Sequence, residues 1–208
     1  MNLWFIIQAF FLATVISFAG SVQLGPVNFG TIRTALEYNK KSAILFGFGG
    51  SLPELLYSAL AIGSSNLLSK YEHLDTYLRY LTIGVLFVFG IYLIFQKPAK
   101  ASNKNSLKKG NHVWLGMSFG ILNPQLYPFW LFIITNLRSN NLLSDESWPV
   151  QAAFVIGTAA GAFLLQYIVA VFTSKKREFV YMKLTKNYNK VLGAIILAVA
   201  VFQIVINL

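Results

Sequence analysis

Six long apolar stretches decide what this 208-residue chain can fold into. At a rise of roughly 1.5 Å per residue, each is long enough as an α-helix to cross the ~30 Å of hydrocarbon in a bilayer. A membrane-barrel strand needs only ~10 residues and shows a two-residue alternation that these stretches lack. We therefore predict an all-α polytopic membrane protein with six transmembrane helices, forming a single transmembrane domain over residues 1–208. The predicted helices are Leu3–Val22, Ser42–Gly63, Tyr77–Phe95, Val113–Asn136, Val150–Phe172 and Val191–Ile206.

The composition also favours a membrane protein. Only 12% of the residues are charged, against about 25% in a typical soluble domain. The first stretch is not typical of a cleaved signal peptide, because no Lys or Arg precedes Arg33 and the apolar run is of spanning length. We expect it to remain as the first helix.

The basic residues lie mostly on one side of the predicted topology. Loops 33–41, 97–109 and 175–190 hold 14 of the 17 Lys and Arg residues. Under the positive-inside rule these loops are cytoplasmic, so both termini lie on the outer, periplasmic side of a bacterial cytoplasmic (inner) membrane. Topology and attraction to anionic lipid headgroups explain the net charge of +10 better than nucleic-acid binding does. We expect membrane lipids but no nucleic acid as partners.

Neither a metal ion nor another cofactor is predicted. The chain has no cysteine, and its two histidines, His73 and His112, fall in a loop and at a helix end instead of sharing an intramembrane face. Hard cations need several oxygen ligands, usually more than one carboxylate, and the predicted helices carry a single deep acid.

Proline interrupts the first predicted helix at Pro26. This residue lacks an amide hydrogen and cannot bond the carbonyl of Val22, and Gly25 beside it loosens the backbone. The helix then either ends at the interface or resumes as a short helix. In the second case its N-terminal amides, near Asn28, would suit an anionic group such as a carboxylate.

A second interruption lies in helix four, in the segment Asn123-Pro124-Gln125-Leu126-Tyr127-Pro128. Its two prolines free the carbonyls of Gly120 and Pro124. Irregular backbone at this depth is tolerated only where it is buried in protein or lines an aqueous cavity. Asn123, Gln125 and Tyr127 can supply a polar lining, and a simple structural kink is the alternative.

Glu54 is the only acidic residue deep inside any of the six predicted helices. A charged side chain there costs about 2.5–3.5 kcal/mol on insertion scales, so it must be neutralised, paired or hydrated. Small residues share its helical face and bulky apolar residues cover the other, so we expect it to face the bundle interior. A buried, protonated Glu that only holds helices together is the alternative. The small residues are Gly47, Gly50, Ser51, Ser58 and Ala61, and the bulky ones are Leu45, Phe48, Leu52, Leu55 and Leu56.

The two breaks occupy comparable places in the first helix of each three-helix half, which suggests an inverted repeat of three plus three helices, a common plan of secondary transporters. In order and spacing, several segments resemble the LysE/RhtB family of amino-acid exporters over most of the chain. They are Leu24-Gly25-Pro26-Val27-Asn28, Arg33, the glycines at 47–50, Glu54 and Leu122-Asn123-Pro124-Gln125. The family has Pro-Gly-Pro and Asn-Pro-Lys at the two breaks. Leu24 replaces the first proline here, and Gln125 replaces the lysine and so removes a positive charge.

The breaks and the resemblance together predict a transporter, not an enzyme. Its expected activity is export of amino acids or small zwitterionic derivatives by proton antiport. Glu54 would carry the coupling proton, the amides after Pro26 would hold the solute's carboxylate, and freed carbonyls near Val22 and Gly120 would take its ammonium. The expected substrate-binding residues are Gly25, Pro26, Asn28, Asn123, Pro124, Gln125 and Tyr127.

Two other functions stay open at this point. An ion or metal-cation exporter of the wider superfamily would need more oxygen ligands than one intramembrane acid supplies. An intramembrane enzyme or lipid-handling protein would need a nucleophile beside a base. Ser51 lies one turn from Glu54 and could be assigned that role, although helix packing explains it more simply.

Small-residue pairs predict close approach between helices, either within one chain or across a homodimer. These pairs are Gly116 with Gly120 and Gly157 with Gly161. Gln166 could face a cavity or another helix, and Arg33 with Glu37 has the spacing of a helical ion pair.

Overall fold

The computed structural model describes residues 3–22, 25–68, 111–123, 125–143 and 147–178, with isolated residues between 83 and 95 and between 194 and 201. The continuous described ranges form seven helices and contain no strand. The helices are α1 (Leu3–Ser21), α2 (Pro26–Glu37), α3 (Lys40–Ser51), α4 (Pro53–Leu68), α5 (His112–Ile121), α6 (Leu126–Ser139) and α7 (Trp148–Lys175). The predicted all-α, polytopic membrane fold is confirmed.

Four of the predicted spans lie in the described ranges. α1, the stretch Lys40–Ser65 through α3 and α4, and α7 are each long and apolar enough to cross a membrane. α5 and α6 are long and apolar enough together to be a fourth candidate span, with a bend of 64° between them. The predicted helices 77–95 and 191–206 lie mostly outside the described residues, and the isolated residues described within them are helical.

The chain divides into two compact units. The first comprises residues 1–67 and 109–175 and holds almost all of α1 to α7. The second comprises residues 68–108 and 176–208. The expectation of a single domain over the whole chain stays a prediction.

Every proline in the described ranges lies in the first turn of a helix. Pro26 and Pro53 are the first residues of α2 and α4, Pro149 is the second residue of α7, and Pro128 is the third of α6. The first amides of a helix have no intrahelical partner, so proline removes no backbone hydrogen bond there. Proline therefore sets where the resumed helices begin.

Glycines let α1 and α7 touch through their backbones. A Cβ added at Gly157 would lie 2.4 Å from the carbonyl oxygen of Phe10, and one at Gly161 would lie 2.1 Å from that of Thr14. Because residue numbers rise together along both helices, α1 and α7 run parallel. The predicted close approach at these glycines occurs within one chain, and the homodimer stays a prediction.

α3 and α5 meet in the same manner. A Cβ at Gly49 would lie 1.9 Å from the carbonyl oxygen of Val113, and one at Gly116 would lie 1.9 Å from that of Phe46. α2 instead runs antiparallel to α3, since the side chain of Val27 fills the space beside Gly50 while Phe46 fills the space beside Gly30. These close contacts hold the interrupted helices in place around the bundle's interior.

Candidate functional site

A cavity of about 60 Å³ lies where the two broken spans meet α4 and α7. One enclosed water needs roughly 10–15 Å³, so the cavity has room for a few waters or one compact polar group. Ala162, in its wall, lies fourteen residues after the start of α7 and thirteen before its end, so the cavity lies beside the middle of that helix. The lining residues are Gly20, Ser21, Gly25, Val27, Asn28, Gly50, Ser51, Glu54, Asn123, Gln125, Leu126, Phe129, Ala162 and Gln166.

Among the described residues that line the cavity, Glu54 alone is charged. It follows Pro53 in the first turn of α4, and only 6% of its surface is exposed. Phe48 and Leu56, on the opposite side of the same span, are 42% and 52% exposed. The prediction that Glu54 faces the bundle interior is confirmed, because the small residues of its face admit neighbouring helices there.

Trp130 binds Glu54, and sequence reasoning missed it. Its indole Nε1–H donates to Oε2 of the carboxylate. The indole is 0% exposed, and its ring packs edge-on against Phe154, with centroids 5.8 Å apart. The one available signal was position: Trp130 falls in the interior of a predicted helix, whereas Trp4, Trp114 and Trp148 stand near helix ends.

The first span resumes after its break. α1 ends at Ser21, and α2 begins at Pro26 with Gly25 as an extended N-cap residue (φ −90°, ψ −179°) that forms no side-chain cap. Gly25, Val27 and Asn28 all line the cavity. The N-terminal end of α2, which carries the partial positive charge of the helix dipole, therefore borders the cavity. Of the two readings of Pro26, the resumed helix is the one observed.

A chain of amide and hydroxyl groups ties α2 to α1 and α7. Asn28 Nδ2 donates to the carbonyl oxygen of Ser21 at 2.7 Å, and Asn28 Oδ1 accepts from Gln166 Nε2. Thr31 Oγ1 then donates to Gln166 Oε1 at 2.8 Å. Gln166 thus borders the cavity and also bonds to another helix, so both options left open for it from the sequence hold.

The break between α5 and α6 places two polar side chains at the cavity. Asn123 Oδ1 accepts from the backbone amide of Gln125 at 3.2 Å, which shapes the turn. The side-chain Nε2 of Gln125 is buried and has no hydrogen-bond partner among the described residues. An amide donor without an acceptor therefore lies in the cavity wall.

The structure brings together five of the eight predicted site residues: Gly25, Asn28, Glu54, Asn123 and Gln125 line one cavity. Pro26 lies between two lining residues without lining the cavity itself, and Pro124 is outside the described residues. Tyr127 does not line the cavity, and its hydroxyl donates to Ser64 Oγ at 3.0 Å. Their roles in binding stay predictions.

The two residues whose carbonyls were expected to bind the solute's ammonium group, Val22 and Gly120, do not line the cavity. The carbonyl of Gly120 accepts the amide of Asn123 at 3.1 Å, and Val22 is 56% exposed. Glu54 is therefore the stronger candidate for a cationic group. Within the described part of the chain, no cluster of three or more His, Cys, Asp or Glu residues could hold a metal ion.

Comparison with known proteins identifies a family. The model of the LysE type translocator family matches residues 18–206, which include both breaks and Glu54. No curated protein and no solved structure matches the sequence.

Proposed function

Because the chain belongs to the LysE type translocator family, it is a membrane transporter, and we propose that it exports amino acids or small zwitterionic derivatives in exchange for protons. One observation carries this proposal. One cavity beside the middle of α7 combines a carboxylate with a helix N-terminus and an unused amide donor. These are complementary to the two charged ends of a zwitterion.

Glu54 is the group for the solute's ammonium. No other described residue of the lining is an anion, and an intramembrane carboxylate is stabilised by a cation or a proton at the same place. Because both compete for one carboxylate, a proton arriving from outside releases the solute there, and solute binding from the cytoplasm releases the proton. Mutually exclusive binding at one site produces antiport in the export direction under an inward proton gradient.

The solute's carboxylate would bind at the other wall. The first amides of α2 and its dipole attract an anion, and Gln125 Nε2 offers a further donor. No Lys or Arg stands among the described residues that line the cavity, so dipoles and amides would hold the carboxylate without a salt bridge. A second charge on the solute would find no partner, which favours amino acids with neutral side chains.

The membrane setting follows the charge distribution. We place the protein in the bacterial cytoplasmic membrane with the loops at 33–41, 97–109 and 175–190 inside and both termini outside. Alternating access would come from rocking of the two predicted three-helix halves, with the cavity exposed to each side in turn. The partners are a solute, a proton and membrane lipids, and the activity is transport without chemical conversion.

The test is flux from proteoliposomes under an imposed pH gradient, with radiolabelled neutral, basic and acidic amino acids. Glu54→Gln keeps the shape of the side chain but can neither ionise nor exchange a proton. Losing a hydrogen-bonded charged partner costs roughly 10- to 100-fold in affinity, so gradient-driven export should fall at least about tenfold. Glu37→Gln is the matched control, because that acid pairs with Arg33 at 2.8 Å on the exposed surface and should leave export unchanged.

The outcome against the proposal is equally definite. If Glu54→Gln protein exported as fast as wild type and responded as steeply to the gradient, Glu54 would not couple proton and solute. If no amino acid moved while other zwitterions did, the coupling would stand and the solute class would change.

A further inference from the structure

Trp130 differs from the other three tryptophans of the chain by its burial. Trp4, Trp114 and Trp148 are 66%, 62% and 79% exposed, as expected of residues at the ends of membrane spans. Trp130 is 0% exposed and is the fifth residue of α6. A buried indole needs an acceptor for its N–H, and here the acceptor is Oε2 of Glu54.

Aromatic rings hold the indole against that carboxylate. Phe129 and Phe154 pack edge-on against it, with centroids 5.1 and 5.8 Å away. Phe129 also forms part of the cavity wall and fills the space beside Gly20, where an added Cβ would lie 2.5 Å from its ring. Displacing the indole from Glu54 would therefore disturb the cavity wall.

We propose that Trp130 is a positioning residue for Glu54. By donating to Oε2 it fixes the carboxylate, so that Oε1 is the oxygen for which the proton and the solute's ammonium compete. This inference rests on the proposed exchange at Glu54 and adds the residue that orients the exchanging group.

The same hydrogen bond makes Trp130 a sensor of what Glu54 holds. Hydrogen bonds to an ionised carboxylate are stronger than those to a neutral one. The indole N–H is thus bound most strongly when Glu54 is ionised and empty, and less strongly once a proton or an ammonium neutralises it. The fluorescence of Trp130 should change accordingly.

Few other groups can produce such a change. The other titratable or charged side chains of α4 and α6 are engaged elsewhere: Tyr57 with the carbonyl oxygen of Ile121, Tyr127 with Ser64 and Arg138 with Ser65. The remaining ones on the helices described around the cavity do not line it; they are Arg33, Glu37, Lys40, Lys41, His112, Tyr167 and Lys175.

The first experiment uses fluorescence. Replacing Trp4, Trp114 and Trp148 with Phe leaves Trp130 as the only indole, and none of the three lines the cavity. The protein is reconstituted in lipid nanodiscs and acidified from about pH 8 to about pH 5, a range in which perturbed carboxyls titrate. We expect the emission maximum to shift, and the shift to vanish when Glu54→Gln is added. An equal shift in the Gln variant, or no shift in either protein, would overturn the inference.

The second experiment uses flux. Trp130→Phe removes the N–H and keeps an aromatic ring, so the solute concentration for half-maximal export should rise roughly tenfold or more. Trp148→Phe makes the same substitution at a tryptophan that is 79% exposed and does not line the cavity, and it should leave that concentration unchanged. If Glu54→Gln abolishes export but Trp130→Phe exports like wild type, only the positioning role is lost. If Glu54→Gln exports normally, the proposed function itself is lost.

Discussion

Asn28 borders the cavity, but much of its hydrogen-bonding capacity serves the fold. Its amide nitrogen satisfies the carbonyl of Ser21, one of the last in α1, and its oxygen accepts from Gln166. The side chains of Asn28, Gln166 and Thr31, which are joined by these hydrogen bonds, are each at most 3% exposed. Asn28 therefore holds the N-terminus of α2 in place. Its hydrogen bond with Gln166 fixes which part of the Asn28 side chain a solute could contact.

Gln166→Leu tests this arrangement. The substitution removes two side-chain hydrogen bonds and leaves Asn28 Oδ1 and the Thr31 hydroxyl without their partner. Such bonds in membrane proteins contribute about 0.6–1.7 kcal/mol each, so we expect a loss of roughly 1–3 kcal/mol in stability. Thermal unfolding of the detergent-solubilised protein measures it. Gln8→Leu is the control, since Gln8 is an exposed residue of α1. Equal melting temperatures for the two variants would contradict the structural role.

At single positions, the sequence predicts what depends on local spacing. Glu54 could be oriented from the small residues that recur on its own helix. Gln166 could not be decided, because its partner Asn28 lies 138 positions away in the chain. The sequence around Trp130 does not indicate its role, because an aromatic residue in an apolar helix can face lipid, pack in the core or line a site. Only the three-dimensional position of Glu54 shows which of these applies.

At the level of helices, the positions of proline and glycine in the sequence predict most of the helix breaks and close helix contacts. A continuous helix through Pro26 or Pro124 would lose a backbone hydrogen bond, so the breaks before α2 and α6 were visible in the sequence. Whether a helix resumes depends on tertiary contacts. α2 has only twelve residues, a length at which an isolated helix is marginal, and its packing along α3 and α7 supplies the missing stability.

The α3–α5 contact gives a test of helix packing. At Gly116 an added Cβ would lie 1.9 Å from the carbonyl oxygen of Phe46, whereas at Gly63 it would meet no atom within 4 Å. Gly116→Ala should therefore force the helix backbones apart and cost about 1–3 kcal/mol. Gly63→Ala should be neutral or stabilise by up to ~1 kcal/mol, because Ala favours helix. Melting temperatures of the two proteins compare them directly, and a stable Gly116→Ala protein would mean that these helices are not in contact.

For the whole molecule, the relative directions of the helices support the predicted topology. α1 and α7 are parallel to each other, as the first and fifth spans should be, and the span of α3 and α4 is parallel to that of α5 and α6. Spans two and four should run in the same direction, because one further span is predicted between them at residues 77–95. The parallel contacts within the first unit fit that prediction.

Cysteine labelling tests this topology, and the absence of cysteine from the chain makes single replacements unambiguous. Lys41 and Asn140 are exposed positions separated by three predicted spans. Lys41→Cys should react with a membrane-impermeant maleimide only from the cytoplasmic side, and Asn140→Cys only from the outer side. Labelling with the two sides exchanged would reverse the orientation while leaving the fold intact. Labelling of both from one side would mean an even number of crossings between them, and one of the three spans predicted there would be wrong.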